Sequence, residues 1–248
     1  IRVVSFAPVL RNRTLPLPEI LELLLDMGGW GMGAPVEMEF ASTLSVAEGR
    51  PKEFSLLQLR PLGLHKDTDH YDLGEYAPEA LLCKSDQVMG HGVTDTIRDI
   101  VLVDKDRFER ACSVEAAEEV ARFNEKLRGL GRPYLLIGVG RWGSLDPWLG
   151  IPVKWDQISG AKIIVEAGFR DMDVDPSQGL HFFHNLTAFR VSYFTVNPMT
   201  SDGYIDWGWL GRRPVEEQKR FVRHIRLEKP FTAKINGHQN RGIILKPE

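Results

Sequence analysis

Ser113-Val114-Glu115-Ala116-Ala117-Glu118-Glu119-Val120-Ala121-Arg122-Phe123-Asn124-Glu125-Lys126-Leu127-Arg128 carries the plainest helical period in the chain. Val114, Ala117, Val120, Ala121 and Leu127 recur at the spacings that gather on one side of a helix. Ser113 stands at an N-cap position, Glu115, Glu118 and Glu119 suit the positive end of the helix dipole, and Gly129 supplies a stop. Strands are predicted on both sides, at Leu81 to Cys83 and Asp99 to Val103 before the helix, and at Tyr134 to Gly138, Lys162 to Glu166 and Val191 to Val196 after it. Helix and strands that interleave in this way predict a layered α/β domain of mixed α+β type.

Towards the amino terminus, Leu15-Pro16-Leu17-Pro18 leads into a helix predicted over 19–27, with Leu21, Leu24 and Leu25 in phase and Gly28-Gly29 as its stop. Val36 to Leu44 and Glu53 to Leu59 then read as two strands joined around Gly49-Arg50-Pro51, a hairpin. The polar run His65-Lys66-Asp67-Thr68-Asp69-His70-Tyr71-Asp72 has no apolar period and reads as linker. The expected division is a first region over 1–62, a linker over 63–78, a second region over 79–200 and a carboxyl-terminal extension over 201–248. Within that extension a basic helix is predicted around Glu216 to Arg223, followed by strands at Phe231 to Ile235 and Gly242 to Leu245.

With 248 residues, 43% of them hydrophobic, the chain can fill one large core or two modest ones. Its 31 Lys and Arg against 34 Asp and Glu give no broad positive field, so no nucleic-acid partner is expected. The runs Leu23 to Leu25 and Tyr134 to Val139 are far shorter than the ~18 residues of a membrane-spanning helix, so no membrane partner is expected either. Cys83 and Cys112 are too few for a disulfide framework and form no CxxC pair, which suits a reducing, cytoplasmic setting. The start at Ile1-Arg2-Val3-Val4, with no Met and no signal-peptide pattern, suggests a piece of a longer polypeptide whose remainder is its first partner.

Three constellations carry possible chemistry. Glu37 and Glu39 sit at i and i+2, which places both carboxylates on one face of a strand, where they could hold Mg²⁺ beside nucleotide phosphates. Gln58 and Arg60 repeat that spacing across the hairpin, and an Arg fork suits phosphate; a plain solvated strand face is the alternative. Gly138-Val139-Gly140-Arg141-Trp142-Gly143 matches GxGxxG after an apolar strand, with Glu166 at the end of another, the arrangement of a dinucleotide site. Such a site needs a helix opening at the last glycine, and Pro147 and Pro152 oppose one; a loop built for tight turns, with Arg141 near a phosphate, is the other option. In Gly179-Leu180-His181-Phe182-Phe183-His184, a neutral imidazole could accept a phosphoryl group, or both histidines could be core residues. The run His65, Asp67, Asp69, His70 and Asp72 could be arranged around a metal but reads better as a solvated loop.

Val36-Glu37-Met38-Glu39-Phe40-Ala41, a loop, and Phe54-Ser55-Leu56-Leu57-Gln58-Leu59-Arg60-Pro61 resemble the closing hairpin of the ATP-grasp domain in the phosphoenolpyruvate synthase and pyruvate phosphate dikinase family. The resemblance implies that Glu37, Glu39, Gln58 and Arg60 contribute to the ATP site, with Glu37 and Glu39 as Mg ligands; Glu37 stands where the family usually has Asp. Ala80 to Gly90, Ala161 to Gly168, Gly179-Leu180-His181 and Phe189 to Val196 run in an order similar to the family's swivelling phosphohistidine domain. That register offers His181 as phosphocarrier and His184 as second choice, although Phe182-Phe183 replaces the family's small pair. The implied protein is a phosphotransferase, a kinase that uses ATP to phosphorylate a histidine and then pyruvate or another acceptor, here incomplete on its own. A noncatalytic interaction or regulatory domain attached to an ATP-grasp module is the alternative of a different class.

Overall fold

A computed structural model describes residues 15–32, 35–43, 49–61, 73–144, 146, 148–168, 185–197 and 203–247. The chain divides into two units, 1–64 and 65–248, each taken by itself.

In the first unit, helix α1 (Leu17–Met32) precedes strands β1 (Val36–Ser42) and β2 (Phe54–Pro61), which pair antiparallel. The helix runs through Gly28, its expected stop, because the hairpin packs there: a Cβ on Gly28 would lie 2.9 Å from Leu59 Cδ2 and 3.1 Å from Val36 Cγ2. Glycine is kept at this position by that close approach rather than by the end of the helix. The strand register sets Glu37 opposite Arg60, Met38 opposite Leu59 and Glu39 opposite Gln58, then shifts between Glu39 and Phe40 so that Phe40 faces Leu56. Leu57 is the extra residue at this bulge and is exposed.

The second unit is mixed α+β. Its strands are β3 (Leu81–Ser85), β4 (Val88–Met89), β5 (Gly92–Thr94), β6 (Asp99–Val103), β7 (Tyr134–Val139), β8 (Arg141–Trp142), β9 (Gly150–Ile151), β10 (Ala161–Ala167), β11 (Ser192–Val196), β12 (Gly203–Ile205), β13 (Val215–Gln218), β14 (Val222–Arg226), β15 (Thr232–Asn236) and β16 (Arg241–Leu245). Helix α2 (Ser113–Gly129) follows β6, and the one-turn helix α3 (Trp207–Gly211) follows β12. A seven-stranded sheet runs in the order β13, β14, β6, β7, β10, β11, β4. Its central strands β6, β7, β10 and β11 are parallel, and its flanks are antiparallel. A five-stranded antiparallel sheet, in the order β12, β3, β16, β15, β5, covers one face.

Strand alternation explains the layers. Ile100, Leu102, Leu135, Ile137, Ile163, Val165 and Phe194 point towards Leu82, Phe231, Ile235 and Ile244 of the small sheet side. Val101, Leu136, Ile164 and Tyr193 point the other way, onto Ala117, Val120, Phe123 and Leu127 of α2. Central strands buried on both faces read in sequence as continuous apolar runs, which is why they were legible.

Several expectations need correction. Val114 is exposed, and the buried stripe of α2 is Ala116, Ala117, Val120, Phe123 and Leu127. Phe123, the largest of these, sets the phase of the helix against the sheet. Ser113 is the first helical residue rather than the cap, its buried Oγ makes no hydrogen bond among the described residues, and Cys112 holds the cap position. The left-handed turn beyond the helix falls at Gly131 (φ 64°), past Gly129. The segment from residue 201 is no appendage, because β12, β15 and β16 belong to the small sheet and β13 and β14 to the large one.

The basic helix expected around Glu216 to Arg223 is instead the hairpin of β13 and β14. Tertiary contact overrides local preference here. The buried carboxylate of Glu119, on α2, accepts hydrogen bonds from the backbone N–H groups of Arg220, Phe221 and Val222 at 3.1, 2.9 and 3.0 Å. The amides of Phe221 and Val222, both buried, would otherwise be left without partners. Glu119→Ala is expected to lower folding stability by about 3 kcal/mol in urea denaturation, since unsatisfied buried amides cost ~1–3 kcal/mol each and the turn relaxes in part. Glu119→Gln, which keeps one acceptor oxygen, is expected to lose less.

Candidate functional site

On the hairpin of the first unit, strand alternation turns Val36 and Leu59 towards α1 and leaves Glu37, Glu39, Gln58 and Arg60 together on the opposite face. The Arg60 guanidinium bridges both acids, with Nε against Glu37 Oε1 and an Nη 3.7 Å from Glu39 Oε1. The Arg60, Glu37 and Glu39 side chains are 38%, 40% and 58% exposed, so these pairs are solvent-screened and open to exchange with a ligand. Two carboxylates, one amide and one guanidinium thus share a face that a cation can approach through the acids and an anion through the arginine. The acids are hard oxygen donors suited to Mg²⁺, and they leave most of its octahedron for phosphate oxygens or water.

At the end of β7 the three glycines of the GxGxxG motif each have a local reason. A Cβ on Gly138 would strike the Trp142 ring, while Gly140 (φ 78°) and Gly143 (φ 71°) adopt backbone that glycine favours. Trp142 is fully buried, with its indole N–H donating to the Val165 carbonyl at 3.1 Å. Among the described residues no helix opens at Gly143; β8 pairs parallel with β9 instead. Glu166 is buried and accepts from the Trp142 backbone N–H at 3.1 Å and from the Tyr193 hydroxyl. Burial pushes the Tyr193 phenol far up, with the Glu166 charge adding to the effect, so the hydroxyl stays protonated and donates. The helix N-terminus and the available acid of a dinucleotide site are therefore both missing among the described residues, and the motif fixes a turn under a tryptophan. Arg141, the proposed phosphate contact, is half-buried in β8.

His181 and His184 lie outside the described residues, as do His65, Asp67, Asp69, His70 and Asp72.

One polar cluster escaped the sequence. Asp99, at the amino-terminal end of β6, accepts from Arg132 Nε at 3.0 Å, from an Arg132 Nη, and from His224 Nε2 at 2.8 Å. Arg132 also reaches Glu216 at 3.4 Å. Asp99, Glu216 and His224 could bring three ligand atoms within 4.8 Å of one another, but Arg132 already supplies the positive charge between the two carboxylates. The set reads as an ion-pair network, buried at Asp99 and His224 and open to solvent at Glu216. Burial raises the Asp99 carboxyl, but hydrogen bonds from His224 and Arg132 outweigh it and hold the group below its ordinary value. Arg132 and His224 lie 33 and 125 residues from Asp99, and the polar first residue of an apolar strand is the local signal.

The chain matches no family model, no curated protein and no solved structure.

Gly138→Ala is expected to destabilise the fold by about 1–3 kcal/mol, the usual cost of overpacking, and to change the near-ultraviolet circular dichroism of Trp142. Asp99 also makes stability pH-dependent. With a folded value below the unfolded one, its contribution is complete above about pH 4 and is lost as pH falls through the folded value. The stability difference between wild type and Asp99→Asn is therefore expected to be largest near pH 7 and to shrink below about pH 4 in denaturant titrations.

Proposed function

We propose that this chain is part of an ATP-dependent phosphotransferase of the phosphoenolpyruvate synthase type, with its nucleotide contacts on the hairpin of the first unit. The observation that carries this reading is the register that brings Glu37, Glu39, Gln58 and Arg60 to one exposed face. Glu37 and Glu39 would hold Mg²⁺, which neutralises phosphoryl charge when bound. Arg60, released from the acids, would take a phosphate oxygen pair with its fork, and Gln58 would orient the nucleotide. The second unit would be the layered swivelling domain that carries the acceptor, His181 or, as second choice, His184. In the first half-reaction a histidine N–P bond forms as a P–O bond of the nucleotide breaks, the nucleotide leaving with that oxygen. In the second, the N–P bond breaks as pyruvate or a related acceptor takes the phosphoryl group on oxygen. The remainder of the polypeptide would complete the ATP site and the acceptor site.

A cytoplasmic setting belongs to the same reading; no described helix is long and apolar enough to cross a membrane. A noncatalytic domain attached to an ATP-grasp module is what remains if no phosphoryl group is transferred.

The test incubates the full-length protein with ATP labelled on its β- and γ-phosphates and measures acid-labile, base-stable phosphohistidine. Label is expected in wild type, lost in His181→Ala, and reduced roughly 100-fold in initial rate by Arg60→Ala or Glu39→Gln, the scale of one lost charge contact in a transfer site. Loss in His184→Ala instead would move the acceptor to that residue. Absence of label in wild type, or full rates in both hairpin variants, would overturn the proposal.

A further inference from the structure

The four parallel strands of the second unit have two ends, and the Asp99 network closes only the amino-terminal one. At the other end, β7, β10 and β11 finish at Val139, Ala167 and Val196, and the chain leaving β6 carries Lys105. These residues, with Tyr204 of β12 and Trp207 of α3, line a cavity of about 400 Å³. We propose that this cavity binds a small, flat organic anion of the aromatic carboxylate class.

Place, shape and charge each contribute. In open parallel sheets, ligands lie beyond the carboxyl ends of the strands. The volume lies in the range of small-molecule sites and suits one or two fused rings. Val139, Ala167 and Val196 supply an apolar floor, while Tyr204, 43% exposed, and Trp207, partly buried against the core, supply flat walls. Among the described residues that line it, Lys105 is the one cation, its Nζ 6.0 Å from the centre of the Trp207 ring, and Asp106 is the one acid. An aromatic body between these walls would lie close enough for its acid to reach that ammonium.

Lys105 is paired with Asp106 at 2.9 Å, but the Asp106 side chain is 77% exposed. Such a pair is worth little, and an ammonium has three donors, so a ligand carboxylate can share or replace this partner. The backbone argues against phosphate. Gly140 N–H donates to the Ala167 carbonyl at 2.7 Å, and Gly168 N–H to the Val196 carbonyl at 2.8 Å. These amides at the strand ends are already committed, and the described residues of the lining include no guanidinium fork. A single carboxylate matches the single point charge that is left.

The experiment titrates the ¹⁵N-labelled 248-residue chain with 2-naphthoate, 2-naphthamide and 2-naphthyl phosphate, following the indole N–H signals. Trp207→Phe assigns the Trp207 signal. Naphthoate is expected to shift that signal saturably and to bind roughly fivefold tighter than the neutral amide, the upper end of what one partly exposed charge contact gives. Lys105→Met, a rim substitution with a melting temperature expected to stay at the wild-type value, should bring acid and amide to the same affinity. No saturable shift of Trp207 by about 10 mM naphthoate, a limit weaker than the millimolar end of specific binding, would overturn the proposal. So would an acid preference that survives Lys105→Met, or naphthyl phosphate binding about tenfold tighter than naphthoate, a gap of ~1.4 kcal/mol that one Lys shared by both ligands would not explain.

Discussion

Because β6, β7, β10 and β11 are apolar on both faces, the central sheet of the second unit has to be covered twice. One cover is helical and local, since α2 lies between β6 and β7 in sequence. The other is a second sheet assembled from strands at both ends of the unit, 81–94 and 203–245. Hydrophobic burial drives both, at roughly 25 cal/mol per Å² of apolar surface removed from water. It also fixes where polar groups are tolerated, namely at strand ends and turns.

Four carboxylates are buried among the described residues, and each joins segments far apart in the chain: Asp104, just past β6, pairs with Arg223 of β14 at 3.2 Å. Glu119 ties α2 to the turn of β13 and β14, Asp99 ties β6 to Arg132 and His224, and Glu166 ties β10 to Trp142 and Tyr193. A buried acid costs free energy unless it is fully partnered, so each fixes its neighbours in place. The glycines of the β7 loop belong to the same scheme: Gly138 makes room for the indole whose backbone N–H serves Glu166.

The central strands and both long helices were legible in the sequence because their apolar periods are strong and local. The phase of α2 was harder, since Val114 and Phe123 are both apolar and only packing against the sheet chooses between them. Residues 215–226 misled for a different reason: the hairpin depends on a carboxylate 101 or more residues away, and charged residues at helical spacing are common on strand edges as well. For the candidate site, i and i+2 spacing was enough to place Glu37, Glu39, Gln58 and Arg60 on one face of the hairpin. The Asp99 network was not readable, because no spacing connects residues 99, 132, 216 and 224 before the sheet is built.

The order of strands in the large sheet also sets a schedule. β6 lies inside the sheet, yet its outer neighbour is β14, so one side of residues 99–103 has no strand partner until residues 222–226 exist. At ordinary rates of chain synthesis, the roughly 120 intervening residues take about 6–25 s to appear. For that interval Ile100 to Val103 present an apolar strand with an open hydrogen-bonding edge, the kind of segment that other chains can join. β6 is therefore open to mispairing during that interval, and a pause in synthesis once residues 222–226 have emerged would be safer for it than one before.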